Sequence, residues 1–253
     1  MSAGTTISVV VVVKDEEADI ERLIAATSPH FAEVLVADSG STDGTKRVAE
    51  AAGARVIDVS WEGFGPTKNA AVAVAAHDWI VSLDADEVPD ALMVSQIRAA
   101  VREATPGMVF GLKRVTNFCG TWVRHGAWRN DVVWRVYHRD TNRWDDRAVH
   151  ERLLRDVNQS RVLAGELLHY SFVDEPDYLA KHRRYAILGA EALHAEGRRA
   201  TWAKRHLSPV WRAFRGYVLR GGWRDGAAGW RLAQLDYRHV KEKYALLRAR
   251  SNL

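Results

Sequence analysis

Ile7 to Val13 form an almost uninterrupted apolar, β-branched run, the pattern of a strand covered on both faces in a parallel sheet. From Glu16 to Ala26 the apolar positions Ile20, Leu23 and Ile24 switch to helical spacing, and Val34 to Ala37 form a second buried strand. Asp43 is placed to cap a helix running to Ala52, with Gly53 in the left-handed position past its end. The cycle repeats with a strand at Arg55 to Ile57, a turn at Gly63-Phe64-Gly65-Pro66, an Ala-rich helix from Pro66 to Ala76 and a strand from Trp79 to Leu83. Alternating units of this kind predict an α/β fold: a mostly parallel, doubly wound sheet flanked by helices, with ligands at the carboxyl ends of its strands.

From about Met108 the pattern changes to strand-like pieces, Met108 to Val115 and Val132 to His138, separated by loops rich in Trp, Arg and Gly. Beyond Pro176 it turns helical, with Leu207, Val210, Trp211, Phe214 and Val218 on one stripe, a break at Gly221-Gly222, and Tyr237, Val240, Tyr244 and Leu247 on another. The expected organisation is a catalytic domain over residues 1–175, with a donor half to about 106 and an acceptor half from about 107. A helical extension follows over residues 176–253.

Composition changes this picture in two ways. The single Cys119 among 253 residues excludes a disulfide framework or a cysteine metal site, so a reducing cytosol is the expected compartment. The first apolar run is cut at once by Lys14-Asp15-Glu16-Glu17, too soon for a signal peptide or a membrane span. The net charge of +4 hides a division: residues 181–253 carry 17 Lys and Arg against 5 Asp and Glu, and the rest of the chain is acidic.

Candidate chemistry gathers at the predicted strand ends. Asp84-Ala85-Asp86-Glu87 follows a buried strand directly, where a divalent cation and a diphosphate can sit. The alternative is that these carboxylates merely cap a helix opening at Pro89. Asp38-Ser39-Gly40-Ser41-Thr42-Asp43-Gly44-Thr45 supplies short polar side chains and a helix N-terminus at a neighbouring strand end, as a nucleotide site needs. Two such acidic loops would repel phosphates without a cation between them.

These segments, with Asp15-Glu16-Glu17 and Gly63-Phe64-Gly65-Pro66-Thr67-Lys68-Asn69, resemble in order the donor half of family 2 glycosyltransferases. The later Asn117 to Gly126, Ala148-Val149-His150-Glu151, Leu168 to Phe172 and Tyr178 to His182 are similar to the lipopolysaccharide core β-glucosyltransferase branch. Lys14 departs from the small residue frequent at that position.

The resemblance implies a GT-A fold and an inverting transfer from a nucleotide sugar. Asp38 would hydrogen-bond the base of a UDP donor, Ser39 would belong to the same donor site, Asp15 and Glu16 would line the base and ribose pocket, and Asp43 and Lys68 would border the nucleotide. Asp84 would face ribose and metal. Asp86 would bind Mg2+ or Mn2+, and His169 resembles a late histidine that closes on the metal or diphosphate, a satisfied core histidine being the alternative. Glu151 is the first candidate for the general base that takes the acceptor proton. Asp131 is the reserve, and a carboxylate paired with Arg152 or Arg155 is the structural alternative for Glu151. Trp122, Trp128, Trp134 and Trp144, with Arg124, Arg129 and Arg135, suit a phosphorylated saccharide, core Trp with solvated Arg being the alternative for half of them.

The expected function is therefore a cytoplasmic glycosyltransferase, peripheral on the inner membrane, that acts on a lipid-linked saccharide such as the lipopolysaccharide inner core. Its basic, Trp-bearing C-terminal helices would meet an anionic membrane surface. A nucleic-acid-binding protein accounts for those helices but not for the carboxylates at 38, 43, 84, 86 and 87, so no nucleic-acid partner is expected. A sugar-nucleotide pyrophosphorylase would need a Gly-rich loop after the first strand. A transferase using another donor sugar is the nearest alternative.

Overall fold

The computed structural model describes residues 6–146, 151–172 and 174–251. Its elements are β1 (Ile7–Val13), α1 (Ile20–Thr27), β2 (Glu33–Asp38), α2 (Thr45–Ala51), β3 (Arg55–Asp58), α3 (Phe64–Ala73), β4 (Trp79–Leu83), β5 (Glu87–Pro89), α4 (Ala91–Glu103) and β6 (Val109–Phe118). Then follow β7 (Thr121–Val123), β8 (Asp131–His138), β9 (Arg143–Trp144), β10 (Leu153–Leu154), β11 (Ser160–Val162), β12 (Leu167–Phe172), α5 (Glu175–Ala195), α6 (Trp202–Phe214) and α7 (Gly226–Ser251).

The chain forms two compact units, Met1–Arg114 with Asp131–His169, and Val115–Asn130 with Tyr170–Leu253. The strand order is β3-β2-β1-β4-β8-β6-β12-β5. The first four strands are parallel, and β8 joins β4 and β6 antiparallel. The expected α/β class with a helical C-terminal part is what the structure shows. β1 is buried almost throughout, as its unalternating sequence demands. Val9 and Val11 pack with Ile20, Leu23 and Ile24 of α1, while Val10 faces Leu35, Ile80 and Tyr137.

Helix boundaries depart from the sequence reading for local reasons. Gly63 takes a φ of 101°, so α3 opens at Phe64 and Pro66 falls within its first turn, where a missing N–H costs little. The carboxylates at 84–87 do not cap α4. Asp90 does, accepting from Met93 N–H at 2.6 Å, and Pro89 ends β5 instead. Asp43 lies one residue before the N-cap Gly44 yet accepts from Thr45 N–H at 3.0 Å, and Gly53 adopts the expected left-handed φ.

In the second unit Phe118, Val123, Tyr178 and Leu235 form a core against which Trp128 and Phe172 pack. Helix α6 turns Pro209 inward and leaves Leu207, Val210, Trp211 and Phe214 exposed. Among the described residues no helix is long and apolar enough to cross a membrane.

Candidate active site

The ends of β1 and β2 are tied together by their own polar side chains. Asp15 adopts a φ of 56°, uncommon for a residue with a Cβ, and three bonds hold it there, one of them from the Thr42 hydroxyl to its Oδ1 at 3.2 Å. Its N–H donates to Ser41 Oγ at 2.9 Å and its Oδ1 accepts from Thr42 N–H at 2.7 Å. Glu16 N–H donates to Thr45 Oγ1 and Glu17 N–H to Asp43 Oδ2. Asp15 and Asp43 thus brace two loops against each other. Ser39 is turned inward, its hydroxyl donating to Val13 O at 2.9 Å.

Asp38 is different. Its Oδ1 accepts from Gly40 and Ser41 N–H, both at 2.9 Å, whereas its buried Oδ2 has no hydrogen-bond partner among the described residues. Burial raises the carboxyl pKa, but the Ser41 and Gly40 donors and Lys46 outweigh it and hold the group below its usual range. An ionised carboxylate with a spare oxygen is equipped to accept a hydrogen bond from a ligand.

At the end of β4 the charges are interlocked. Asp84 Oδ1 accepts from Lys68 Nζ at 3.0 Å, and its Oδ2 from Arg135. Lys68 also donates to Glu151 Oε1 at 2.8 Å. Arg135 reaches the fully buried Glu87 as well, and Arg114 joins Glu87 to Asp131. Burial works against ionisation of Asp84, yet Arg135 and Lys68 hold it well below the usual carboxylate range. The same acids push the Arg135 pKa up against its own burial.

Three residues of the Gly63 to Asn69 motif build this junction. A Cβ on Gly65 would lie 1.8 Å from the Asp145 carbonyl oxygen, so only glycine lets α3 come this close. Asn69 then clips β9, its amide donating to Trp144 O at 2.9 Å and its carbonyl accepting from Trp144 N–H at 3.0 Å. Lys68, between them, is directed at both carboxylates.

His169 is placed by the antiparallel pairing of β12 with β5, opposite Glu87, and its Nε2 lies 3.1 Å from Asp86 Oδ2. The structure thus brings together Lys68, Asp84 and Glu151 in one group and Asp86 with His169 in another. Asp131 instead serves Arg114. Of the Ala148 to Glu151 motif only Glu151 lies within the described residues. Among the described residues no group of three or more His, Cys, Asp or Glu is arranged to hold a metal ion.

A cavity of about 540 Å3 opens beside Glu151, lined by Trp134, Trp144, Arg152 and Arg155 among others. Two expectations need correction. Arg135 is no free phosphate ligand, being buried and committed to Asp84 and Glu87. Trp128 belongs to the core of the second unit rather than to a sugar-stacking wall. Sequence reasoning missed Arg114, gave Asn69 no role of its own within its motif, and counted as a rim carboxylate Glu87, which is buried against partners far off along the chain.

The glycosyl transferase family 2 model matches residues 8–153, more than half of the chain. The chain belongs to that family. It is 27% identical over 237 residues, 88% of its length and 84% of the relative's, to the lipopolysaccharide core biosynthesis glycosyltransferase LpsC of Rhizobium meliloti (strain 1021). Glucosyl-3-phosphoglycerate synthase of Mycobacterium tuberculosis (strain CDC 1551 / Oshkosh) is 38% identical over 96 residues, 33% of this chain and 30% of that protein. The crystal structure of the M. tuberculosis synthase with Mn2+, UDP and glucosyl-3-phosphoglycerate aligns with 46% of this chain and 45% of its own, at 33% identity and a TM-score of 0.39. The expected family membership holds, and this family 2 glycosyltransferase has the mostly parallel sheet flanked by helices that the sequence predicted.

Proposed function

We propose that this glycosyltransferase moves a sugar, glucose in the first instance, from a UDP-linked donor to a lipid-linked saccharide of the lipopolysaccharide core type, with inversion at the anomeric carbon. The observation that carries the reading is Lys68, which joins Asp84 at the strand end to Glu151 on the wall of the cavity. Donor-side and acceptor-side carboxylates are thereby held within one lysine's reach. The likeness to LpsC over 88% of the chain supports the acceptor class, and the glucosyl synthase relative supports the donor sugar.

In this reading Asp38 receives the base of the nucleotide on its spare oxygen, and the braced loops of Asp15, Glu16 and Asp43 shape the wall around it. The acceptor hydroxyl attacks the anomeric carbon from the face opposite the diphosphate. Its proton passes to a Glu151 oxygen, and the electron pair of the breaking bond leaves with the diphosphate. The carboxylate of Asp86 and the imidazole nitrogen of His169, one oxygen and one nitrogen donor 3.1 Å apart, are the groups that would hold a Mg2+ or Mn2+. When bound, that ion supplies charge neutralisation for the leaving group. Asp84, whose oxygens both face cations, orients Lys68 and Arg135.

The exposed apolar stripe of α6, flanked by Lys204, Arg205 and Arg215, supports a peripheral contact with an anionic bilayer on the cytoplasmic side. The deciding experiment measures nucleoside diphosphate release from a panel of sugar nucleotides with Mn2+ or Mg2+ and a lipopolysaccharide-core acceptor. UDP-glucose is expected to give the fastest release. Release from a different nucleotide sugar alone would replace the donor, and release from none would overturn the reading.

A further inference from the structure

The cavity beside Glu151 has an unbalanced wall. Arg135 is matched by Asp84 and Glu87, and Glu151 by Lys68. Two guanidinium groups are left over. Arg152 is exposed and has no ion-pair partner among the described residues. Arg155 meets no carboxylate among the described residues: its Nη1 donates to Ser160 Oγ at 2.7 Å, and its guanidinium carbon lies 3.7 Å from the centre of the Trp134 ring.

We propose that Arg152, Arg155 and Trp134 form a subsite for an oxyanion, a phosphate or a carboxylate, carried by the acceptor saccharide. The inference rests on the reading of Glu151 as the acceptor-side group. Arg155 is prepared for this task. One N–H is tied to Ser160 and the guanidinium lies over an indole, so little rotamer freedom remains to be lost when a ligand arrives. Arg152 adjoins Glu151 in the chain, so the anion would sit within about a sugar ring of the group that takes the proton. Val132, Val133 and Leu153 give the same wall apolar surface for a ring face. A neutral glycan would leave both cations without a counter-charge, while an oxyanion accepts the forked, charge-assisted hydrogen bonds that a guanidinium offers. Lys68 is committed to Asp84 and Glu151, which leaves these two arginines as the cations of this wall that an acceptor's charge can meet.

The test is ligand-observed NMR on the full chain with UDP present, using methyl glucoside, its 6-phosphate and methyl glucuronide as probes. At least one anionic probe is expected to bind about tenfold more tightly than the neutral one, with the preference shrinking as salt is raised. Tighter binding of the phosphate or of the glucuronide identifies which anion the acceptor carries. R152Q/R155Q should erase the preference while UDP affinity stays within about twofold, and R155K should recover only part of it because the fork and the stacking are lost. R152Q alone, at an exposed position, keeps the test decisive if the double variant folds poorly. Equal binding of all three probes, or an undiminished preference in R152Q, would overturn the proposal. Absence of UDP binding by the wild type would count against the transfer reading and leave the ranking of the glycosides intact.

Discussion

The Asn69 side chain and the Trp144 backbone exchange two hydrogen bonds, at 2.9 and 3.0 Å, so that a helical residue acts as the ladder partner of a two-residue strand. Asn69→Ala would leave a buried N–H and C=O without partners, at a cost of roughly 2–4 kcal/mol. Urea unfolding should register that loss. Activity should fall further than stability, because Trp144 lines the cavity and Lys68 adjoins the clip. An unchanged midpoint would show that water replaces the amide.

Gly65→Ala tests the close approach itself. A methyl group 1.8 Å from the Asp145 oxygen cannot be accommodated without moving α3 or the loop. The expected cost is about 1–3 kcal/mol. Turnover should drop by more than tenfold if the Lys68 to Glu151 geometry matters for transfer. Wild-type kinetics would dissociate the motif from the reaction.

Glu151→Gln retains shape and removes the proton acceptor, so turnover should fall by about 10²–10⁴ while UDP still raises the melting temperature. Asp131→Asn should instead loosen Arg114 and act mainly on stability. A reversal of these two phenotypes would assign the base to Asp131.

Acid sensitivity should arise in the second unit. Burial, with His239 and Arg212 nearby, lowers the His182 pKa to about 4 from an ordinary 6.5. Below pH 6.5 the unfolded chain takes up a proton that the folded chain refuses, so this contribution is complete above 6.5 and is lost as pH falls towards 4. The slope is roughly 1 kcal/mol per pH unit. His239, also lowered, adds in the same sense, whereas Asp236, whose pKa is raised mainly by burial, opposes it. Denaturant midpoints of wild type and His182→Asn should therefore converge as pH falls from 7 to 4. Parallel curves would exclude His182 as the source.

The exposed face of α6 predicts a split response. Replacing Lys204, Arg205 and Arg215 by Gln should weaken binding to anionic vesicles at low salt by tenfold or more, each cation being worth about 1 kcal/mol near such a surface. Trp211→Ala with Phe214→Ala should remove a portion that salt does not touch. Arg212 is best left in place, since it pairs with the buried Asp236 at 3.3 Å. Wild-type vesicle binding by both variants would remove the membrane contact.

What the sequence made legible was whatever a single segment decides. β1 and β4 are buried on both faces and read so from their composition, and Gly53 marks a helix end by its own backbone freedom. Arg135 was assigned to the acceptor because nothing in its segment says which carboxylates it meets. The same holds for Asn69, whose partner is the backbone of β9, and for Glu87, buried by Arg114 and Arg135 from other strands. Capping offers itself as the alternative for the carboxylates of 84–87 because a cap is a local device, and Asp90 is the residue that takes that position.

The pairing of β12 with β5 makes His169 a matter of counting. Leu167, Leu168 and His169 stand opposite Pro89, Val88 and Glu87, so each step along one strand is a step along the other. Deleting a single residue in the link before Leu167 would shift that frame and present the neighbouring side chain where the imidazole now stands, since a slip of one reverses the faces of a strand. The short stretch from Gly165 to Leu167 therefore works as a ruler whose ends are fixed by Gly165, where a Cβ would lie 2.5 Å from Met93 N, and by the fully buried Leu167, so that a change of its length would leave Asp86 facing the wrong residue.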